Sequence, residues 1–137
     1  MSIPSLHVLI VDDDNLYCAL LKKTLTQFGH SVVISNSGEE AFSQLQNEPF
    51  DVVLLDFKMK DTNGINVLQW MYGKKMDTPV ILITSYGTDE VFEEACKWGA
   101  KDYFIKSKSD MSQLPEVILR IYKQSIVDRQ LRTDRDI

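Results

Sequence analysis

Residues 50–56 read FDVVLLD, four consecutive apolar residues closed by the carboxylate of Asp56. The run is too short for an independent helix and shows no polar alternation, so both of its faces must be covered. That is the pattern of a parallel strand lying between two layers of helices. Runs of the same kind stand at residues 6–11, 32–34, 80–83 and 103–105, each rich in Val, Ile, Leu or aromatic residues. Five strands are therefore expected.

Helical periodicity fills the gaps between them. Leu16, Leu20, Leu21, Thr24, Leu25 and Phe28 recur at steps of three or four, with Gly29 as a C-terminal stop. Asp14 is placed to cap that helix. Ser37 and Glu40 read as a capping box for a helix through Ala41, Phe42 and Leu45, which Asn47 and Pro49 end. Ile65, Leu68 and Tyr72 mark a third helix ending near Gly73, and Val91, Phe92, Ala95 and Trp98 a fourth ending at Gly99. The last starts near Pro115, turns Leu114, Val117, Ile118 and Ile121 inward, and runs to about Asp128. Alternation of this kind predicts an α/β fold: a doubly wound five-stranded parallel sheet with helices on both faces. One domain is expected over residues 1–128, with residues 129–137 as a C-terminal tail or the start of a linker.

In such sheets ligands bind beyond the carboxyl ends of the strands. The first strand ends in Asp12, Asp13 and Asp14, the third in Asp56, the fourth in Thr84 and Ser85, the fifth in Lys106. Converging carboxylates repel one another unless a cation sits among them. Oxygen ligands with open water positions suit Mg²⁺. Lys106 and Thr84 cannot both be explained by metal binding, because an ammonium repels the ion; they suit an anion beside it, and a phosphoryl group is the natural candidate. A central carboxylate can then act as the nucleophile toward phosphorus.

The strings LIVDDD, DVVLLDFKM, ILITSYGT and DYFIKS, in this order and spacing, resemble the receiver domain of two-component response regulators, of the chemotaxis-regulator kind. The resemblance covers residues 6–128 and implies the flavodoxin-like receiver fold. It makes Asp56 the phosphoacceptor and Asp12 and Asp13 the acidic pair for Mg²⁺. Asp13 and Asp56 become direct ligands, Asp12 acts through water, and the main-chain carbonyl of Lys58 completes the set. Thr84 resembles the switch hydroxyl, Lys106 the phosphoryl-pairing lysine, Tyr103 the switch aromatic, and Gly64 the glycine that opens the following helix. Lys58 and Tyr86 fall where the family tunes the lifetime of the aspartyl phosphate. Two positions depart from the pattern: Lys60 follows Met59 and Ser107 follows Lys106, where proline is common. The second proline usually follows a cis peptide, which costs about 2.5–4 kcal/mol before any other residue, leaving the Lys106–Ser107 geometry open.

The resemblance implies a phosphorelay switch that receives its phosphoryl group from a histidine kinase or a histidine phosphotransfer protein. It catalyses only its own phosphorylation and dephosphorylation. Its reader is a downstream protein effector or an output domain in a longer chain, since no helix-turn-helix segment follows the last helix. Two alternatives stay open. One is a receiver-like interaction module no longer regulated by phosphorylation. The other is a small Mg²⁺-dependent aspartate-nucleophile phosphatase, although Lys58 stands where such enzymes carry a second acid.

Composition narrows the partners. In 137 residues, 15 Lys and Arg against 20 Asp and Glu give a formal charge of −5, a poor basis for direct nucleic-acid binding. No apolar run is long enough to cross a membrane, and residues 1–6 do not resemble a signal peptide, so a cytoplasmic protein is expected. Cys18 and Cys96 read as reduced core or near-core thiols. His7 and His30 stand singly at strand starts, far from the expected site, and no Gly-rich phosphate loop or Ser-His-Asp set is present.

Overall fold

Apolar side chains on both sides of every central strand leave the chain one way to dry its sheet, which is to wrap helices around both faces. The protein, seen in a computed structural model, is described over residues 4–85, 87–106 and 110–136. Its strands are β1 (His7–Val11), β2 (Ser31–Ser35), β3 (Val52–Asp56), β4 (Val80–Thr84) and β5 (Asp102–Ile105). Between and after them come α1 (Asn15–Gln27), α2 (Gly38–Asn47), α3 (Gly64–Gly73), α4 (Asp89–Lys97) and α5 (Leu114–Asp136). All pairings among the five strands are parallel and the order is β2-β1-β3-β4-β5. The doubly wound sheet expected from the sequence is the one observed.

The period of two along each strand sorts the core into two halves. Leu9, Val11, Val53, Leu55, Val80 and Leu82 pack with α2, α3 and α4. Val8, Ile10, Val52, Leu54, Ile81 and Ile83 pack with α1 and α5. All twelve are buried. Strand order reverses between β1 and β3, since β2 lies on one side of β1 and the rest of the sheet on the other. In sheets of this kind the ligand crevice lies at that switch point, here beyond Val11 and Asp56.

The caps follow the local chemistry. Asp14 accepts the Tyr17 N–H at 3.0 Å, and Ser37 accepts the Glu40 N–H at 3.1 Å. In place of the reciprocal bond, the Glu40 carboxylate accepts the Asn36 N–H, one residue before the cap. Gly29 ends α1 at a φ of 87°, a conformation that costs glycine no Cβ clash.

Three readings of the helices change. In α1 the buried stripe is Cys18, Leu21 and Leu25, while Leu16, Leu20 and Phe28 are exposed. At about 100° per residue Leu16 lies on the far side of the helix from that stripe, so helical spacing alone did not decide which side meets the sheet. Tyr72 likewise points out of α3, where Met71 is the buried residue. The last helix does not stop near Asp128: α5 continues to Asp136, two turns further. No Gly or Pro interrupts residues 129–136, and Arg132 pairs with Asp77 at 3.1 Å, tying the extension to the loop before β4. Cys18 is buried as expected, whereas Cys96, expected in or near the core, is exposed on α4. Among the described residues no helix is long and apolar enough to cross a membrane.

Candidate functional site

Parallel register brings the strand ends together without any further device. Val11 pairs with Leu55 across β1 and β3, so the next step sets Asp12 beside Asp56. Thr84 pairs with Ile105, which puts Lys106 one step beyond it. Asp12, Asp13 and Asp56 each offer a carboxylate oxygen, and these oxygens all lie within 4.8 Å of one another. The expected acidic cluster is therefore present as a single group. Asp12 is fully buried, Asp56 is 6% exposed and Thr84 is 1% exposed.

Asp12 is held from every side. Its N–H donates to the Ser35 carbonyl at 3.0 Å, and its carbonyl accepts the Asn36 side-chain amide at 3.0 Å and the Cys18 thiol at 3.3 Å. One carboxylate oxygen accepts the Asp14 N–H and the other accepts the Lys106 ammonium at 2.6 Å. Lys106 also lies 3.5 Å from Asp56 Oδ2. Its Nζ sits over the Tyr17 ring, 4.4 Å from the centroid.

Burial pushes the Asp56 carboxyl up to about 7, with the Asp12 charge adding to the rise and Lys106 opposing it. Lys106 moves up from the ordinary lysine value: burial works against its charge, but the bond to Asp12 and the charges of Asp56 and Asp12 outweigh it. Cys18 is pushed up to about 12, by burial first and then by Asp12, which makes it an inert thiol. Burial, then Asp12 and Asp56, also raise the Tyr17 phenol, which stays neutral.

The loop after β3 is tied on both sides of the crevice. The Lys60 N–H donates to Asp13 Oδ2 at 2.9 Å, and the Asp61 carboxylate accepts the Gly38 N–H at the start of α2. Lys60 is the first departure from the receiver pattern, and the bond it makes is one that proline, lacking an N–H, has no means of making. Gly64 closes the loop by donating to the Phe57 carbonyl at 2.7 Å. A Cβ there would lie 2.6 Å from the Asp56 carbonyl oxygen and 3.1 Å from Phe57 Cα, both backbone atoms. Gly64→Ala is thus expected to displace the Asp56 loop and cost about 1–3 kcal/mol, read from the midpoint of urea unfolding. An unchanged midpoint would mean that the loop accommodates the methyl freely.

Tyr103 is 47% exposed and stacks on Phe92 of α4, centroids 3.7 Å apart and planes 11° from parallel. The Lys58 side chain is exposed at the rim of the site. Tyr86 and the Lys106–Ser107 bond lie outside the described residues. His7 lies at the opposite, N-terminal end of β1, paired with Glu48 and stacked on Phe50, and His30 accepts the Leu6 N–H there. Two residues around the site had no sequence signal of their own: Asn36 and Tyr17 reach Asp12 and Lys106 only through the fold. Lys60 stood out only as a departure from the pattern, and it acts through its backbone.

Can the residues present hold a divalent cation? Among the described residues three carboxylates face one ammonium, an excess of acid over base in an all-oxygen donor set, which is what a hard cation prefers.

A family model described as the response regulator receiver domain matches residues 8–119. The chain is 37% identical over 106 residues to the transcriptional regulatory protein ZraR of Escherichia coli (strain K12), covering 77% of this chain and 24% of that protein. It is 31% identical over 103 residues to the acid tolerance regulatory protein ActR of Rhizobium meliloti (strain 1021), covering 75% of this chain and 53% of that one. It thus spans only part of the length of these relatives. Among solved structures, a CheY-like response regulator receiver domain protein from Methanospirillum hungatei JF-1 superposes with a TM-score of 0.85 at 26% identity, covering 91% of this chain and 99% of that one.

Proposed function

The chain belongs to the response regulator receiver domain family, and from that membership we propose that Asp56 is its phosphoacceptor. Phosphorylation of an aspartate, and Mg²⁺ at an acidic pocket, are general to this family, which is not a family of conventional enzymes. The observation that carries the reading is the convergence of Asp12, Asp13 and Asp56 with Lys106 inserted against two of them.

Asp13 and Asp56 would hold the cation directly, Asp12 through water, and the Lys58 carbonyl would complete the protein ligands. When bound, the ion neutralises charge on the transferring oxygens. The protein's own residues do the rest. An Asp56 oxygen attacks the phosphorus of a phosphohistidine on a kinase or phosphotransfer protein, and the imidazole leaves. Lys106 releases part of its hold on Asp12 and Asp56 and pairs with a phosphoryl oxygen. The Thr84 hydroxyl, at the adjacent strand end, turns toward the same group. Tyr103 then gives up its stack on Phe92 and moves inward, changing the face made by α4, β5 and α5, which a downstream effector or an output domain reads. Lys58 and Tyr86, two residues beyond Asp56 and Thr84 in sequence, set how long the acyl phosphate lasts. Residues 129–136 extend α5 away from the site and serve as a C-terminal tail or the start of a linker. The reactions take place in the cytoplasm, with no direct contact to nucleic acid or membrane.

Intact mass after incubation with acetyl phosphate tests the reading. One phosphoryl adduct that requires Mg²⁺ supports it; no adduct, with Mg²⁺ still bound, favours an interaction module free of phosphorylation.

Protons and Mg²⁺ compete for the Asp56 carboxylate. Because that carboxyl titrates at about 7, Mg²⁺ affinity is expected to rise about tenfold between pH 6 and pH 8, measured by calorimetric titration. Affinity flat across that range would show that Asp56 is already ionised at pH 6.

A further inference from the structure

Among the described residues the Lys106 ammonium meets three side chains, and two of them are the carboxylates that the cation and the phosphoryl group would engage. The third is the face of Tyr17, 4.4 Å from Nζ. We propose that Tyr17 is a positioning residue whose ring seats the Lys106 ammonium and keeps it aimed at Asp56 when Asp12 and Asp56 are otherwise engaged. The proposal rests on the reading of Asp56 as phosphoacceptor.

The ring is fixed independently of Lys106. The Tyr17 backbone N–H donates to the Asp14 cap, which fixes where the side chain leaves α1, and the side chain itself packs against the core beneath α1 and α5. Attraction between an ammonium and an aromatic face is broad in direction and strengthens out of water, so the lysine shifts toward a new anion without leaving its seat. Lys106 is largely shielded, with 9% of its side chain exposed. The Tyr17 hydroxyl is buried and makes no hydrogen bond among the described residues. It therefore does not anchor the ring, and the aromatic face is the part that acts.

The test uses Tyr17→Phe, which keeps the face, and Tyr17→Leu, which removes it. The rate of phosphorylation by acetyl phosphate at saturating Mg²⁺ is expected to stay within about twofold in Tyr17→Phe and to fall about three- to thirtyfold in Tyr17→Leu. In a Lys106→Met background Tyr17→Leu should cost nothing further, whereas a general packing defect would add its full effect. Proton NMR supplies a readout that needs no phosphorylation: the Lys106 methylene next to Nζ should be shifted upfield by the ring in the wild type and in Tyr17→Phe, and not in Tyr17→Leu. A wild type without that upfield shift overturns the seat directly. An unchanged rate in Tyr17→Leu, or an equal loss in Tyr17→Phe, overturns the role of the ring while leaving Asp56 as acceptor. A wild type that takes up no phosphoryl group overturns the acceptor reading and this proposal together.

Discussion

Asp56→Asn is expected to gain no phosphoryl adduct under conditions in which the wild-type chain gains one. An amide of nearly the same shape keeps the packing at the end of β3 but offers no anionic oxygen to attack phosphorus. The substitution also removes a ligand from the carboxylate cluster, so Mg²⁺ affinity should fall with it. Its effect on stability has the opposite sign and a pH signature. Asp56 in the folded protein titrates at about 7, above the roughly 3.9 of an unfolded aspartate. Between those values the folded state binds more protons than the unfolded one, so this residue lowers stability as pH rises from about 4 to about 7. The Asp56→Asn variant escapes that loss. In the absence of Mg²⁺ it should match the wild type near pH 4 and exceed it above pH 7, by up to a few kcal/mol in urea unfolding. An adduct on the variant would move the acceptor to Asp12 or Asp13. A variant less stable than wild type above pH 7 would mean that ionised Asp56 is a net stabilising partner of Lys106.

The stability expected of a neutral isostere goes with the reason why the acidic cluster stands out in the sequence. Asp12, Asp13 and Asp56 stand at the ends of strands whose interiors are wholly apolar, and nothing in folding asks for charge there. The strands themselves were readable for the related reason that burial on both faces erases polar alternation, as in Val52–Asp56 and Val80–Thr84. Parallel pairing then fixed the alignment, because one register places every strand end along one edge. Helix faces were less legible. An exposed leucine such as Leu16 carries the same letter as a buried one, and the choice between stripes on α1 is made by the sheet it meets. The end of α5 was hidden for a similar reason, since the Arg132–Asp77 pair joins residues far apart in sequence. Least legible were groups that act through backbone or through long-range contact. The Lys60 N–H on Asp13 is invisible in a side-chain pattern, and Tyr17 reads as one more helix residue until β5 brings Lys106 to it.

Lys106→Met should separate two properties that most substitutions in this cluster lower together. The ammonium lies 2.6 Å from Asp12 and 3.5 Å from Asp56, where it neutralises the same oxygens a divalent cation needs. Without it the site gains negative potential, and Mg²⁺ should bind about tenfold or more tightly, since a charge a few Å away acts strongly in a shielded site. Phosphorylation should move the other way. The phosphoryl oxygens gather charge during transfer, and losing a fixed cationic donor to such oxygens costs about 10²–10³ in rate. Stability supplies the third arm. Removing one partner of a buried ion pair leaves its carboxylates uncompensated, a cost of about 3–5 kcal/mol when both stay ionised. Proton uptake by Asp56 relieves part of it, and because Lys106 holds that carboxyl down, its loss raises the pKa further. The deficit should therefore be largest above pH 7, shrink as pH falls, and be offset at any pH by saturating Mg²⁺. Calorimetric Mg²⁺ titration, phosphorylation rates with acetyl phosphate and urea unfolding at two pH values measure the three effects. If Mg²⁺ affinity and phosphorylation rate fall together, Lys106 is a scaffold that holds Asp12 and Asp56 in place. If they part, its charge acts on the phosphoryl group, and the tighter ion marks the cost at which the chain keeps a cation in an Mg²⁺ site.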